Sequence, residues 1–192
     1  MESLITGMLS KMGDGGIEKI AQSAGIDSTT AKNILSQAGP LLTAKMADNA
    51  KKPEGLGSLD AALADHDGSV FDHIDDVADP QVDTKGEKIL GHIFGDKTAD
   101  LVGALSAKNN ADSGSTSKLL AMAAPLVLGQ LGSQKKSSGM DASGIFELLQ
   151  GEKKQASGNN MLMGLAEKFL DKDGDGSVVD DLMGMAGNMF KK

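Results

Sequence analysis

The chain has 192 residues and a net charge of −8, with 11 Met, 25 Gly, 5 Phe and no Trp, Tyr or Cys. The lack of Cys excludes disulfides, zinc–thiolate centres and cysteine nucleophiles. All 19 basic residues are Lys, so the bidentate guanidinium contacts that favour phosphate and guanine are missing.

A core with so few rings must be filled by Met, Ala and Leu, which pack as thin helix–helix seams, and frequent glycines punctuate several helices. The expected fold class is all-α: two related multi-helix units plus a C-terminal helix–acidic loop–helix. The corresponding segments are an N-terminal helical unit over 1–52, an acidic helical segment over 53–100, a second helical unit over 101–150 and the C-terminal element over 151–192.

In chain order, MESLITGMLSKMGDGG has no basic n-region, and Lys11 interrupts its apolar run. No cleaved signal peptide is expected, and the expected location is cytoplasmic. Ile17, Ile20, Ala21 and Ala24 then fall on one helical face. The stretch IAQSAGIDSTTAKNIL (Ile20–Leu35) has a helix-turn-helix layout, with Ala21 in the first helix, Gly25 at the turn, and Ala31 and Ile34 in the second. Its candidate recognition helix, Ser28–Gln37, carries only Lys32. Phosphate contacts supply most of the affinity for DNA, so a packing corner is the favoured reading and a nucleic-acid-associated protein the alternative.

Residues 53–100 hold 12 Asp/Glu and 3 Lys, so the acidity sits in one segment. Within it, DHDGSVFDH (Asp65–His73) reads as a capped turn opening a helix at Ser69. His66, His73 and His92 lack the spacing of a helical chelate. In EKILGHIF, Ile89, Ile93 and Phe94 again share a face.

The second unit repeats the first at an offset of 85: Ile17–Met46 aligns with Val102–Leu131, pairing Pro40 with Pro125. Each proline is expected to kink a helix or to begin a new one. Lys51-Lys52 and Lys135-Lys136 follow the two copies, and polar linkers are expected near 47–58 and 132–142, with a hinge near 151–160. The most apolar run, LLAMAAPLVLG (Leu119–Gly129), is about half the roughly 20 residues of a membrane span, so none is expected.

The last motif is LDKDGDGSVVDDL (Leu170–Leu182). Alternate Asp171, Asp173 and Asp175 on a tight turn converge three carboxylates on one point, with Gly176 permitting the bend. Ser177 offers a carbonyl, and Asp180 or Asp181 closes the shell where an EF-hand would carry its bidentate Glu and this chain has Leu182. Calcium is the cation this pattern suits. The alternative is an acidic turn capping the following helix. DHDGSVFDH matches DGDGSVVDD at an offset of 108, but with Leu63 in place of the first aspartate.

No GxSxG, HExxH, GxxxxGK[ST] or strand-borne GxGxxG is present, which points away from an enzyme. The segments GEKILGHIFGDK, SKLLAMAAPLVLGQLGSQKK and FLDKDGDGSVVDDLMGMAGNMF together resemble the bacterial YidB-like family, a domain of unknown function, over residues 15–190. The resemblance implies an all-helical fold with homeodomain-like units, and it implies no activity. The resulting expectation is a non-enzymatic helical protein with a calcium-binding loop, acting through protein contacts and homo-oligomeric assembly. A helix-turn-helix nucleic-acid-associated protein and a calcium buffer are the alternatives.

Overall fold

The computed structural model describes residues 3–78 and 83–157. Among these the fold is all-α, with no strand. Eight α-helices follow in order: α1 (Leu4–Ala24), α2 (Ser28–Asn49), α3 (Pro53–Asp65), α4 (Ile74–Val77), α5 (Asp83–Phe94), α6 (Thr98–Asn109), α7 (Ser113–Ser138) and α8 (Ala142–Ser157). Short 3-10 turns lie at Ser69–Phe71 and Gly95–Lys97. α1 is broken at Gly13, whose φ of 60° and ψ of 176° leave the helical region.

Two corners are built alike. α1 ends at Gly25 and α6 at Asn110, both left-handed, with φ of 77° and 50°. The N–H of Ile26 returns to the Ala21 carbonyl at 3.0 Å, and that of Ala111 to the Ser106 carbonyl at 2.9 Å. Next, Asp27 accepts from the Thr30 N–H and Asp112 from the Ser115 N–H, each at 2.9 Å, and these caps start α2 and α7. Every pair is 85 residues apart, so the offset seen in sequence recurs as the same backbone turn. Pro40 and Pro125 both lie inside their helices, and neither starts a new one.

α2 and α7 form the centre. Along the middle of α7, Leu119–Ala124 and Leu126–Gly132 are buried in succession, which leaves no polar face. α1, α2, α3, α5 and α6 all pack against it. α3, which follows α2, packs on α7; α8, which follows α7, packs on α2. The two halves therefore share one core, and neither closes as a self-contained homeodomain-like unit. Gln37 of α2 and Asn109 of α6 tie the halves by reciprocal amide hydrogen bonds of 3.0 and 3.4 Å.

α8 is fastened to α1 and to α2 by charge. Glu152 accepts from the Leu4 N–H at 3.0 Å and from the Ser3 hydroxyl at 3.3 Å, an anion at the N-terminus of α1. Lys153 donates to both carboxylate oxygens of Asp48 on α2, at 2.7 and 2.8 Å.

The connections are shorter than expected. Residues 47–49 complete α2 and Pro53 opens α3, so Ala50–Lys52 alone link them; Gly139–Asp141 alone link α7 to α8, and α8 continues to Ser157. Pro53 at the first turn was the available signal, since proline is tolerated there and pre-sets φ.

Glycine permits the closest approaches. A Cβ on Gly132 would overlap the His66 carbonyl, and one on Gly86 would overlap the Ala121 carbonyl. Ala121 is the carbonyl that Pro125, lacking an N–H, leaves without its i+4 donor. The Gly86 backbone covers it, as a weak Cα–H···O contact allows. Because backbone blocks both positions, Gly132→Ala and Gly86→Ala are each expected to cost about 1–3 kcal/mol. Gly91 and Gly103 lie inside α5 and α6 with nothing near a Cβ, so Ala there should add about 0.5–1 kcal/mol. Urea unfolding of the four variants reads both signs.

Candidate functional site

Of the acidic motifs, the first lies among the described residues. α3 ends at Asp65, and His66 Nδ1 donates to the Ala62 carbonyl at 2.8 Å. Gly68, at φ 100°, turns the chain across α7 beside Ser133. Asp67 then accepts from the Ser69 N–H at 3.1 Å, giving the capped turn expected; it opens the 3-10 turn, and α4 begins only at Ile74. Val70 and Phe71 lie over Gly129, and the Lys11 ammonium sits 5.2 Å from the Phe71 ring centroid.

Two ion pairs hold this segment to α7. Asp60 meets Lys135 at 2.6 Å, and Asp67 meets Lys136 at 3.1 Å. The Ser69 N–H first, then Lys136, brings the Asp67 carboxyl down from 3.8 to about 2. Leu63, which stands where the second motif has Asp171, is 2% exposed and belongs to the core. The loop's carboxylates thus face protein donors or solvent: Asp65 and Asp72 are exposed. Among the described residues no group of three His, Asp or Glu is arranged to hold a metal ion. His73 and His92 are exposed and stand on different elements.

A cleft of about 620 Å³ opens between α2, α3, α5 and α7. Met46, Leu59, Ala62, Ile89, Ile93 and Leu128 form its apolar wall. Asp48, Asn49, Lys52, Ser58 and His92 form its rim. Asn49 donates to the Ile93 carbonyl at 3.0 Å, bracing α2 against α5. Asp48 carries Lys153 and also Lys51, at 2.6 Å. Burial holds the nearby Lys45 ammonium below its ordinary range; Asp48 offsets part of this, and Lys97 and Lys153 add to it. Sequence reasoning missed this cleft because its walls come from four helices spread between Met46 and Leu128, and 47–58 read as a linker.

The helix-turn-helix layout is present as a corner. Ala31, Ile34, Leu35 and Gln37 of the candidate recognition helix are buried. Its outer face is left with Ser28, Thr29, Lys32, Asn33 and Ser36, and Lys32 lies 3.9 Å from Asp14. One partnered lysine is a poor complement to a phosphate backbone. Asp171, Asp173, Asp175, Ser177, Asp180 and Asp181 lie outside the described residues. No helix among the described residues is long and apolar enough to cross a membrane.

The profile of a family described as "Bacterial protein of unknown function (DUF937)" matches residues 7–134. That span runs from the first half of α1 into the last turns of α7 and takes in the first acidic motif and the cleft walls. No curated protein and no solved structure matches the chain.

The Asp67 geometry sets an acid limb. Its folded-state pKa is depressed, so its contribution to stability is present above the unfolded value near 3.8 and is lost as pH falls toward 2. Asp67→Asn should therefore lower the melting temperature at pH 6, with the gap to wild type closing between about pH 4 and pH 2. A pH series of melting curves for the two proteins tests this, and a gap that persists unchanged at pH 2 refutes it.

Proposed function

The chain belongs to the bacterial DUF937 family of unknown function, and from that premise we propose that it is a non-enzymatic helical protein that binds calcium and acts through protein contacts and self-association. Asp171, Asp173 and Asp175 supply the carboxylates, Ser177 a carbonyl, and Asp180 or Asp181 closes the shell.

The observation that carries this reading is the contrast between the two acidic motifs. In the first, a buried leucine replaces the leading aspartate, and Asp67 is satisfied by Ser69 and Lys136. The second keeps all three alternating aspartates, with Lys172 as the one basic residue between Asp171 and Asp181. Alternating carboxylates that a tight turn brings together repel one another unless a cation joins them. Self-association draws on the apolar stretch Leu182–Phe190, with its Met183, Met185 and Met189, since Met-rich faces adapt to partners.

Calcium that binds only the folded state stabilises it by mass action. At free calcium about a hundredfold above Kd, the gain is about 2.7 kcal/mol, or roughly 5–10 °C in melting temperature for a chain of this size. Asp173→Ala should abolish the shift, whereas Asp67→Ala should keep it. An unchanged melting temperature at millimolar calcium sinks the ion site. Light scattering with and without calcium reads the assembly; a monomer of 19.7 kDa in both conditions rejects self-association and leaves a calcium buffer.

A further inference from the structure

We infer that the cleft between α2, α3, α5 and α7 binds an amphipathic anion: a single alkyl or acyl chain ending in a carboxylate or phosphate, with the chain between the helices and the head among the lysines at the edge. Shape is the first support. At about 620 Å³ the cleft has the size of a small-molecule site, and the buried Met46, Ile93 and Leu128 form its floor. Half-buried Leu59, Ala62 and Ile89 form the sides that solvent still reaches. A packed floor with open apolar sides makes a slot for one slender chain, and leaves little room for another helix.

Charge is the second. Lys45, Asp48 and Asn49 share one face of α2 at i, i+3 and i+4, and Lys52 follows directly before α3. Lys51 and Lys153 both reach Asp48, at 2.6 and 2.7 Å, and Lys97 acts on Lys45 from the turn after α5. Lys45, Lys51, Lys52, Lys97 and Lys153 thus gather near the single carboxylate of Asp48. Among the described residues Lys45, Lys52 and Lys97 enter no ion pair, and Glu152, beside Lys153, is engaged at the N-terminus of α1. In a chain of net charge −8 this is a local excess of positive charge. Burial disfavours the charged form of Lys45, and Lys97 and Lys153 add to this while Asp48 offsets part of it. A bound anion relieves that crowding, and perturbed groups of this kind cluster at binding sites.

The two features adjoin, since Asp48 and Lys52 belong both to the lysine cluster and to the rim of the apolar slot. Lysine is a compact point charge on a flexible stem, so it can follow a small anionic head without demanding one geometry. The ligand is a free amphiphile and not a membrane surface, because a floor set between four helices is reached by one chain and not by a bilayer. The inference is independent of calcium and of the assembly proposed above.

Calorimetric titration of the full-length protein in calcium-free buffer tests this, with decanoate and decyl phosphate as probes, each below its micelle concentration. Saturable binding of a single chain per protein is expected. It should be about tenfold tighter or more than that of acetate, inorganic phosphate or decyltrimethylammonium, which lack either the chain or the negative head. Lys52→Glu reverses the charge at the rim, and Ser58→Trp fills the mouth; both positions are exposed, so the fold tolerates them. Each should weaken binding about tenfold or more, whereas Lys32→Glu, the same charge change at the far end of α2, should leave it unaltered. No saturation with either chain, equal affinity for the short anions or the cationic chain, or an equal loss in Lys32→Glu would overturn the inference. So would binding to vesicles of anionic phospholipid without binding to the free chains. Calcium is absent throughout, so failure here leaves the proposed ion site standing, and failure of that site leaves this one.

Discussion

The middle of α7, from Leu119 to Gly132, is buried except at half-buried Pro125, and each neighbouring helix lies where one of its sides has to be covered. A chain with five Phe and no larger ring cannot cover it with bulky side chains reaching across a gap. It does so by bringing backbones close. Gly86 lets α5 rest on Ala121, and Gly129 and Gly132 let the acidic segment rest on the other flank. Dispersion contacts fall off steeply with separation, so thin helices built from Ala, Leu and Gly hold together only at this short range. The same positions are therefore intolerant of a single added methyl group.

How the acidic segment is used follows from that packing. Once Gly68 crosses α7, the Lys135-Lys136 pair at the end of the helix is within reach of Asp60 and Asp67. These exposed or half-exposed pairs contribute little energy individually. Their effect is positional: they fix the register of α3 and the following turn along α7, and so the shape of the cleft beside it. A motif that in another setting would gather a cation is here a clasp between two helices.

Much of this was legible before the structure. Helical periodicity gave Ile17, Ile20, Ala21 and Ala24 as one buried face, and all four are buried. The 85-residue offset located both corners, because Gly25, Asp27, Asn110 and Asp112 act locally, through left-handed backbone and side-chain caps. What was not legible depends on distant partners. The exchange of α3 and α8 between the halves, and the cleft that results, is written in no local pattern, since the middle of α7 is apolar all round and accepts a neighbour on any side. The six residues of the proposed calcium loop are legible only as chemistry, from the alternation of their carboxylates.

The two contacts made by adjacent residues of α8 have a temporal meaning. Glu152 completes the first turn of α1 across 148 residues, and Lys153 engages the last turn of α2 across 105. At about 5–20 residues per second, a ribosome delivers Lys153 roughly 5–20 s after Asp48. During that interval the flank of α2 that α8 will occupy has no cover, and the amide of Leu4 has no anion before it. Nascent chains of this protein thus pass through a stage in which the family's matched region is complete while α8 has yet to cover α2.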